Sequence, residues 1–172
     1  MNDTPAPAPG PASAPSVAPT PVRLADLSVG DVVATRSFTL TRETLVRYAG
    51  ASGDLNPIHY DEGFARSVGL PGVIAHGMLT MGTAIEAVVD WIGDPSAVRE
   101  YSTRFTKPVP VPSGGEARLD VTATIGAIDA EAGTVRVDLV AACDEAKVLG
   151  RARATVAIPG DSADDQRQGS AA

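Results

Sequence analysis

The sequence is poor in most of the residue types that build metal centres, disulfides and polyanion-binding faces. It has one cysteine, two histidines and an aromatic fraction of only 4%. Cys143 has no internal disulfide partner, which fits a reducing compartment and a small buried hydrophobe rather than a reactive thiol. So few histidines and cysteines do not make a zinc site of the usual spacing, and no metal is expected. A glycine-rich phosphate loop and a nucleophile elbow are both missing, and no cofactor is expected. Basic residues are outnumbered, 14 Lys and Arg against 21 Asp and Glu, for a formal net charge of −7. That balance, without a basic run, disfavours nucleic acid and anionic lipid as partners. No apolar run approaches the ~20 residues of a membrane span. Asn2 and Asp3 stand where a signal peptide has its basic n-region, and no apolar h-region follows. A cytoplasmic protein that does not enter the membrane is the expectation.

What remains is aliphatic. The hydrophobic fraction is 44% of 172 residues, enough for one domain with a core of Val, Ala, Leu and Ile. Residues 1–23 form a Pro/Ala-rich leader: the first 21 hold seven of the fourteen prolines and one charged side chain, Asp3. Such a segment has nothing to bury and reads as disordered or polyproline-like. Residues 160–172, rich in Asp, Ser, Gln and Ala, read as a disordered tail. The folded domain is expected over 24–159.

Within it, Val32 to Leu40 has the character of a strand, and Thr41 can cap a helix from Arg42 to Ala49 that Gly50 and Gly53 end. Asp61 can cap a short helix through Val68, before Gly69 and the Pro71-Gly72 turn. The long helical pattern runs from Gly77 to Ile92. Its apolar stripe of Met78, Met81, Ile85, Val88, Val89 and Ile92 predicts a largely buried helix. From Val98 the period changes to two: Glu100 to Lys107, Glu116 to Ile128, Thr134 to Cys143 and Val148 to Ile158 predict strands joined by short turns, hence antiparallel neighbours. The Val-Pro-Val-Pro run ending at Pro112 suits an extended edge. One buried helix with about four antiparallel strands is an α+β layout, a curved sheet wrapped around a helix.

The chemistry gathers around Ser52-Gly53-Asp54-Leu55-Asn56-Pro57-Ile58-His59-Tyr60. Pro57 forbids regular helix there, and fully extended chain would hold Asp54 and His59 roughly 17 Å apart at about 3.4 Å per residue. They act on one atom only if the loop folds back, and Gly53, Asn56 and Pro57 supply turn chemistry for that. Ala75-His76-Gly77-Met78 lies at the start of the long helix, where free N–H groups and the positive dipole end can stabilise an oxyanion. His76 has two readings, a histidine that fixes the helix start by a hydrogen bond or one with a direct chemical role. Arg104 has two as well, an internal salt bridge or a contact to a phosphate-bearing group.

Three ordered motifs, Tyr48-Ala49-Gly50-Ala51-Ser52-Gly53-Asp54-Leu55-Asn56-Pro57-Ile58-His59, then Ala75-His76-Gly77-Met78, then Arg104-Phe105 leading to Pro108, resemble the MaoC-like, R-specific enoyl-thioester hydratase family. Within it the chain is similar to the dyad-bearing subunits of mycobacterial (3R)-hydroxyacyl-ACP dehydratases. The resemblance spans roughly Leu24 to Ile158 and implies a hot-dog fold. It implies that Asp54 and His59 are the catalytic pair and that the Gly77 backbone, with His76 and Asn56, serves oxyanion and substrate binding. It further implies reversible hydration of enoyl thioesters on acyl carrier protein or CoA, in fatty-acid elongation. Hot-dog proteins commonly pair, so a homodimer or a heterodimer with a related hot-dog chain is expected. Two alternatives stand beside it: a hot-dog thioesterase using Glu86, and a non-catalytic partner that shapes a neighbour's tunnel, for which an intact Asp54, Asn56 and His59 would be superfluous.

Overall fold

A computed structural model describes residues 22–158; the leader and tail expectations fall almost wholly outside the described residues. Chain order is β1 (Val32–Thr41), α1 (Arg42–Ser52), a short 3-10 turn (Pro57–His59), α2 (Glu62–Ser67), α3 (Gly77–Ile92), β2 (Val98–Phe105), β3 (Glu116–Asp129), β4 (Thr134–Cys143), β5 (Ala146–Lys147) and β6 (Leu149–Ala157). The strands make one antiparallel sheet in the order β1-β3-β4-β6-β2, with β5 paired to β4.

The sheet follows from its sequence alternation. On β3, Ala117, Leu119, Val121, Ala123 and Ile125 are buried, and on β4 so are Val135, Val137, Leu139, Ala141 and Cys143, each at the period of two that puts one set on one face. β6 changes phase after Leu149: Arg151 takes a left-handed conformation, φ 51°, opposite a register shift in β2 between Ser102 and Arg104, and burial resumes at Ala152.

α3 lies across this face in contact with β1, β2, β3 and β4. Its limits match the sequence pattern, but its buried side does not. Thr80, Thr83, Ala84, Ala87 and Val88 are the buried residues, whereas Met78 is 58% exposed and Met81, Ile85 and Val89 are half-buried. Small side chains let the helix axis approach a sheet that is itself lined with Ala and Val, and the bulkier stripe is thereby turned to the flank.

α1 opens with a reciprocal capping box between Thr41 and Thr44. It runs through Gly50 and stops only at Gly53, which is left-handed at φ 76°, so of the two glycines expected to end it only the second does. Asp61 caps α2 through the Phe64 N–H. The Val-Pro-Val-Pro run pairs with the segment that leads into α3: Ala75 N–H donates to the Val109 carbonyl and Val111 N–H to the Val73 carbonyl, at 2.8 and 2.9 Å. Val109 and Val111 point inward while the prolines, which have no N–H to give, alternate with them. That ribbon fixes where α3 begins. Among the described residues no helix is long and apolar enough to cross a membrane.

Candidate active site

The loop between α1 and α2 folds back through a ladder of side-chain acceptors. Ser52 Oγ accepts from the Asp54 N–H, Asp54 Oδ1 from the Asn56 N–H and Asn56 Oδ1 from the Ile58 N–H, each at 3.2 Å and each two residues on. Three successive turns of this kind, closed by the Pro57–His59 turn, reverse the chain. Asp54 Oδ2 thereby stands 3.9 Å from His59 Nε2. Asn56, expected at the substrate, has its carbonyl oxygen committed to capping this turn, so it shapes the loop that carries the pair.

Both carboxylate oxygens of Asp54 have distinct tasks. Oδ1 is tied to the loop, and Oδ2 faces the imidazole. Asp54 is half exposed, its side chain at 51%, against 7% for His59. His59 Nδ1 lies 2.8 Å from the Ile74 carbonyl oxygen. A carbonyl only accepts, so Nδ1 carries the proton and Nε2 of the neutral ring is a bare acceptor. Two acceptors 3.9 Å apart are complementary to a group that donates to both, such as a water or an alcohol.

His76 is the N-cap residue of α3, but its side chain makes no capping bond. It turns the other way, and Nε2–H donates to the Asp54 carbonyl at 3.1 Å. Its ring stacks on His59 with centroids 3.7 Å apart and planes inclined 24°, and meets Tyr48 of α1 at 4.8 Å. The ring is 1% exposed. Burial holds its pKa below the usual histidine value, against the hydrogen bond to Asp54, which works the other way. Of its two sequence readings, a side-chain hydrogen bond that fixes the helix start corresponds to what is seen, made to the Asp54 carbonyl rather than to the helix's own N–H groups; the ring does not line the cavity.

A cavity of about 440 Å³ opens beside the pair, lined by Ile58, His59, Ala75, Gly77, Phe105 and Val109 among others. The first intrahelical bond of α3 runs from Thr80 N–H to the His76 carbonyl, so the N–H groups of Gly77 and Met78 have no partner within the helix. Gly77 faces the ring of Phe105 closely: a Cβ there would stand 3.2 Å from two of its carbons. Lys107 and Thr106 sit at the cavity rim, whereas Arg104 is exposed on β2 and is not part of the lining. Glu86 is exposed on α3 nine residues beyond Gly77, about 13 Å along the axis at 1.5 Å per residue, and does not reach the cavity.

Asp54, His59 and His76 also present potential ligand atoms within 4.8 Å of one another. The stacked rings argue against a shared metal. Imidazole lone pairs lie in the ring plane, and two nearly parallel planes do not converge on one ion at the ~2 Å a Zn–N bond needs. The grouping suits proton transfer instead.

Sequence reasoning brought Asp54, His59 and Gly77 to one place; in the structure His59 and Gly77 line the cavity, and Asp54, outside the lining, stands 3.9 Å from His59. It gave no part to Phe105 as the wall over Gly77 or to Thr80, whose hydroxyl donates to the His76 carbonyl at 3.1 Å. Phe105 belongs to the last of the three motifs; Thr80 carried no signal beyond its place one turn into the helix.

Known proteins resemble this chain in sequence and in fold. Over 60 residues the chain is 47% identical to the peroxisomal enoyl-CoA hydratase 2 of Arabidopsis thaliana, covering 34% of this chain and 19% of that protein. Over 74 residues it is 43% identical to 3-hydroxyacyl-thioester dehydratase X of Mycobacterium tuberculosis, covering 43% and 25% respectively. The chain thus spans a quarter or less of the length of these relatives. Among solved structures, a MaoC-like dehydratase superposes with a TM-score of 0.79 at 38% identity, covering 82% of this chain and 43% of that one. The unliganded R-hydratase PhaJ1 of Pseudomonas aeruginosa superposes at 0.67 with 27% identity, covering 80% and 86%. The antiparallel sheet curved about α3 is therefore the hot-dog fold. Residues 26–142 match the model of the MaoC like domain, and the chain belongs to that family.

Proposed function

We propose that this protein interconverts (3R)-hydroxyacyl and trans-2-enoyl thioesters by syn loss or addition of water. The observation that carries the reading is the pair of facing acceptors, His59 Nε2 and Asp54 Oδ2, beside the open N-terminus of α3. With the substrate's thioester carbonyl at the Gly77 and Met78 N–H groups, charge that develops on its oxygen meets fixed donors and the positive end of the helix. In the dehydration direction the pair holds one proton: the unprotonated member takes the C2 proton while the protonated member delivers its own to the departing 3-hydroxyl, which leaves as water, so the pair ends with one proton on the opposite member. Hydration reverses each transfer. Because both groups reach the substrate from the one loop that holds them 3.9 Å apart, proton and hydroxyl leave from the same face.

The acyl group is carried on acyl carrier protein or CoA, in the cytoplasm, and fatty-acid elongation is the pathway such a cycle serves. Lys107 at the rim offers a cation to the phosphate of either carrier's pantetheine arm. A second hot-dog chain, identical or related, fits the open side of the molecule. β2 ends the sheet with one edge unpaired among the described strands, and Phe105 and Met78 present exposed apolar surface near it.

Absorbance at the enoyl-thioester band, followed with crotonyl-CoA and chiral analysis of the product, tests the reaction. Decay of the band with an R-3-hydroxy product is expected. Release of free CoA without a 3-hydroxy product would replace the reading with a thioesterase.

A further inference from the structure

His76 contacts both members of the acid/base pair without touching the cavity. Its Nε2–H holds the backbone carbonyl of Asp54, and its ring face lies against His59. The remaining ring nitrogen, Nδ1, is buried with no hydrogen-bond partner. A buried polar atom left unpaired is unfavourable, so a phenylalanine or leucine would fill this place better if packing were its only task. What the histidine adds over such a residue is its one donor, Nε2–H. The Asp54 carbonyl only accepts, so Nε2 carries a proton; burial opposes a second proton on the ring, while the hydrogen bond to Asp54 favours it.

From this geometry we infer that His76 is the positioning residue of the pair: it sets the separation between Asp54 and His59 by tying the turn at Asp54 to the ring plane of His59. At its His59 end the loop is tied to the segment before α3, where the Ile74 N–H donates to the Ile58 carbonyl and His59 Nδ1–H to the Ile74 carbonyl; at its Asp54 end its i to i+2 bonds fix local shape and not the distance from α3. The His76 bond joins it to the residue that precedes the helix, across 22 positions of sequence. The same residue receives the Thr80 N–H and hydroxyl on its carbonyl, so it is anchored to the helix whose N-terminus faces the substrate. Acid, base and oxyanion donors are thus referred to one side chain. The inference rests on the dehydratase reading for its catalytic consequence and on the loop geometry for its structural one.

Three substitutions separate the donor from the ring. H76Q places an amide N–H at the reach of Nε2 and loses the stack. H76N offers its N–H nearer the position of Nδ1, too short for the Asp54 carbonyl. H76F keeps the stack and loses the donor. With crotonyl-CoA, H76N and H76F should lower kcat by about 10- to 100-fold, the effect of a misplacement of about 1 Å. KM should stay near that of the wild type, since His76 does not line the cavity, and H76Q should recover most of kcat. Amide hydrogen exchange at Asn56, Ile58 and His59 supplies a readout free of any substrate: fast in H76N and H76F, slow in H76Q and wild type. Wild-type kcat in folded H76F or H76N overturns the assignment, and so does H76Q behaving no better than H76N. If the wild type shows no hydratase activity at all, the exchange pattern still decides: donor-dependent protection upholds the positioning role while the dehydratase reading falls, and exchange equal in all four proteins removes it.

Discussion

Two clefts of nearly equal volume, about 440 and 450 Å³, open on this domain, one beside His59 and Gly77 and the other beside Arg42 and Glu62. In the second, Arg42, Glu62 and Arg66 answer one another. Arg42 donates to Glu62 and to the Val111 carbonyl, Arg66 donates to the same carboxylate, and the Val73 N–H reaches it too. The hydrogen bond from Arg42 is the main reason the Glu62 carboxyl titrates below its ordinary range, and a carboxylate held so firmly as an anion is a poor carrier of protons. In the first cleft the order is inverted. Nδ1 of His59 and Oδ1 of Asp54 are committed to backbone, which leaves Nε2 and Oδ2 facing one another at 3.9 Å and the first N–H groups of α3 without partners in the helix. Volume does not distinguish these clefts; the presence of polar atoms that are fixed in place yet unspent does.

The largest effects should therefore follow loss of those atoms. Asp54→Asn and His59→Ala should each reduce turnover of crotonyl-CoA by about 10²- to 10⁴-fold, the usual contribution of a positioned acid or base. Glu62→Gln should leave it unchanged. Near-normal turnover in both dyad variants would erase the distinction between the clefts. A smaller loss is expected for Gly77→Ala, which keeps the N–H but places a Cβ 3.2 Å from the Phe105 ring. The half-exposed ring must shift across the cavity, so kcat/KM should fall about tenfold. In a Phe105→Ala background the same change should have much less effect, and a double-mutant cycle measures that coupling. Equal losses in both backgrounds would mean that Gly77 matters for its backbone freedom alone.

How much of this was legible beforehand differs between the framework and the contacts. The limits of α3, the strand periods of β3 and β4 and the cap at Thr41 are written in local pattern, and each appears where that pattern puts it. Asp54 and His59 were readable as a candidate pair because Pro57 excludes helix and Asn56 favours a turn. What the pattern misdirected was the rotation of α3. A hydrophobic stripe marks the greasiest side, whereas a helix seated in a tight concave sheet presents its smallest side, here Thr80, Thr83, Ala84 and Ala87. Gly50 likewise has a helix breaker's composition, yet the chain needs left-handed geometry only at Gly53. The role of His76 was illegible for a different reason. Its partners, the Asp54 carbonyl and the His59 ring, belong to a loop whose path is set by tertiary contact.

A milder test of the comparison concerns stability. If the Arg42 cleft is structural, Glu62→Gln should lower Tm by a few degrees at neutral pH while leaving activity alone. The sign of its pH dependence follows from the lowered titration of Glu62. A carboxylate whose folded pKa lies below its unfolded value of about 4.3 stabilises the fold above that value and ceases to do so as pH falls through the folded pKa. The gap in Tm between wild type and variant should thus close on acidification below about pH 4. A gap that persists undiminished in acid would trace the loss to packing instead of charge.

The smallest effect should come from a polar atom that is unspent but has no cavity to serve. The hydroxyl of Tyr101, on β2, is buried without a hydrogen-bond partner, and burial pushes its pKa up to about 12. It lines neither of the two clefts. An unspent donor is therefore not enough; it must also face a space that a substrate can enter. Tyr101→Phe removes the unpaired group and keeps the ring, so turnover should be unaltered and stability equal or higher, by up to ~1 kcal/mol, because leaving such a group unsatisfied is itself unfavourable. Thermal melts and the crotonyl-CoA assay on the same preparation check both halves. Loss of turnover in Tyr101→Phe would place a third proton-bearing side chain in the reaction, and the contrast between the two clefts would then need to include β2.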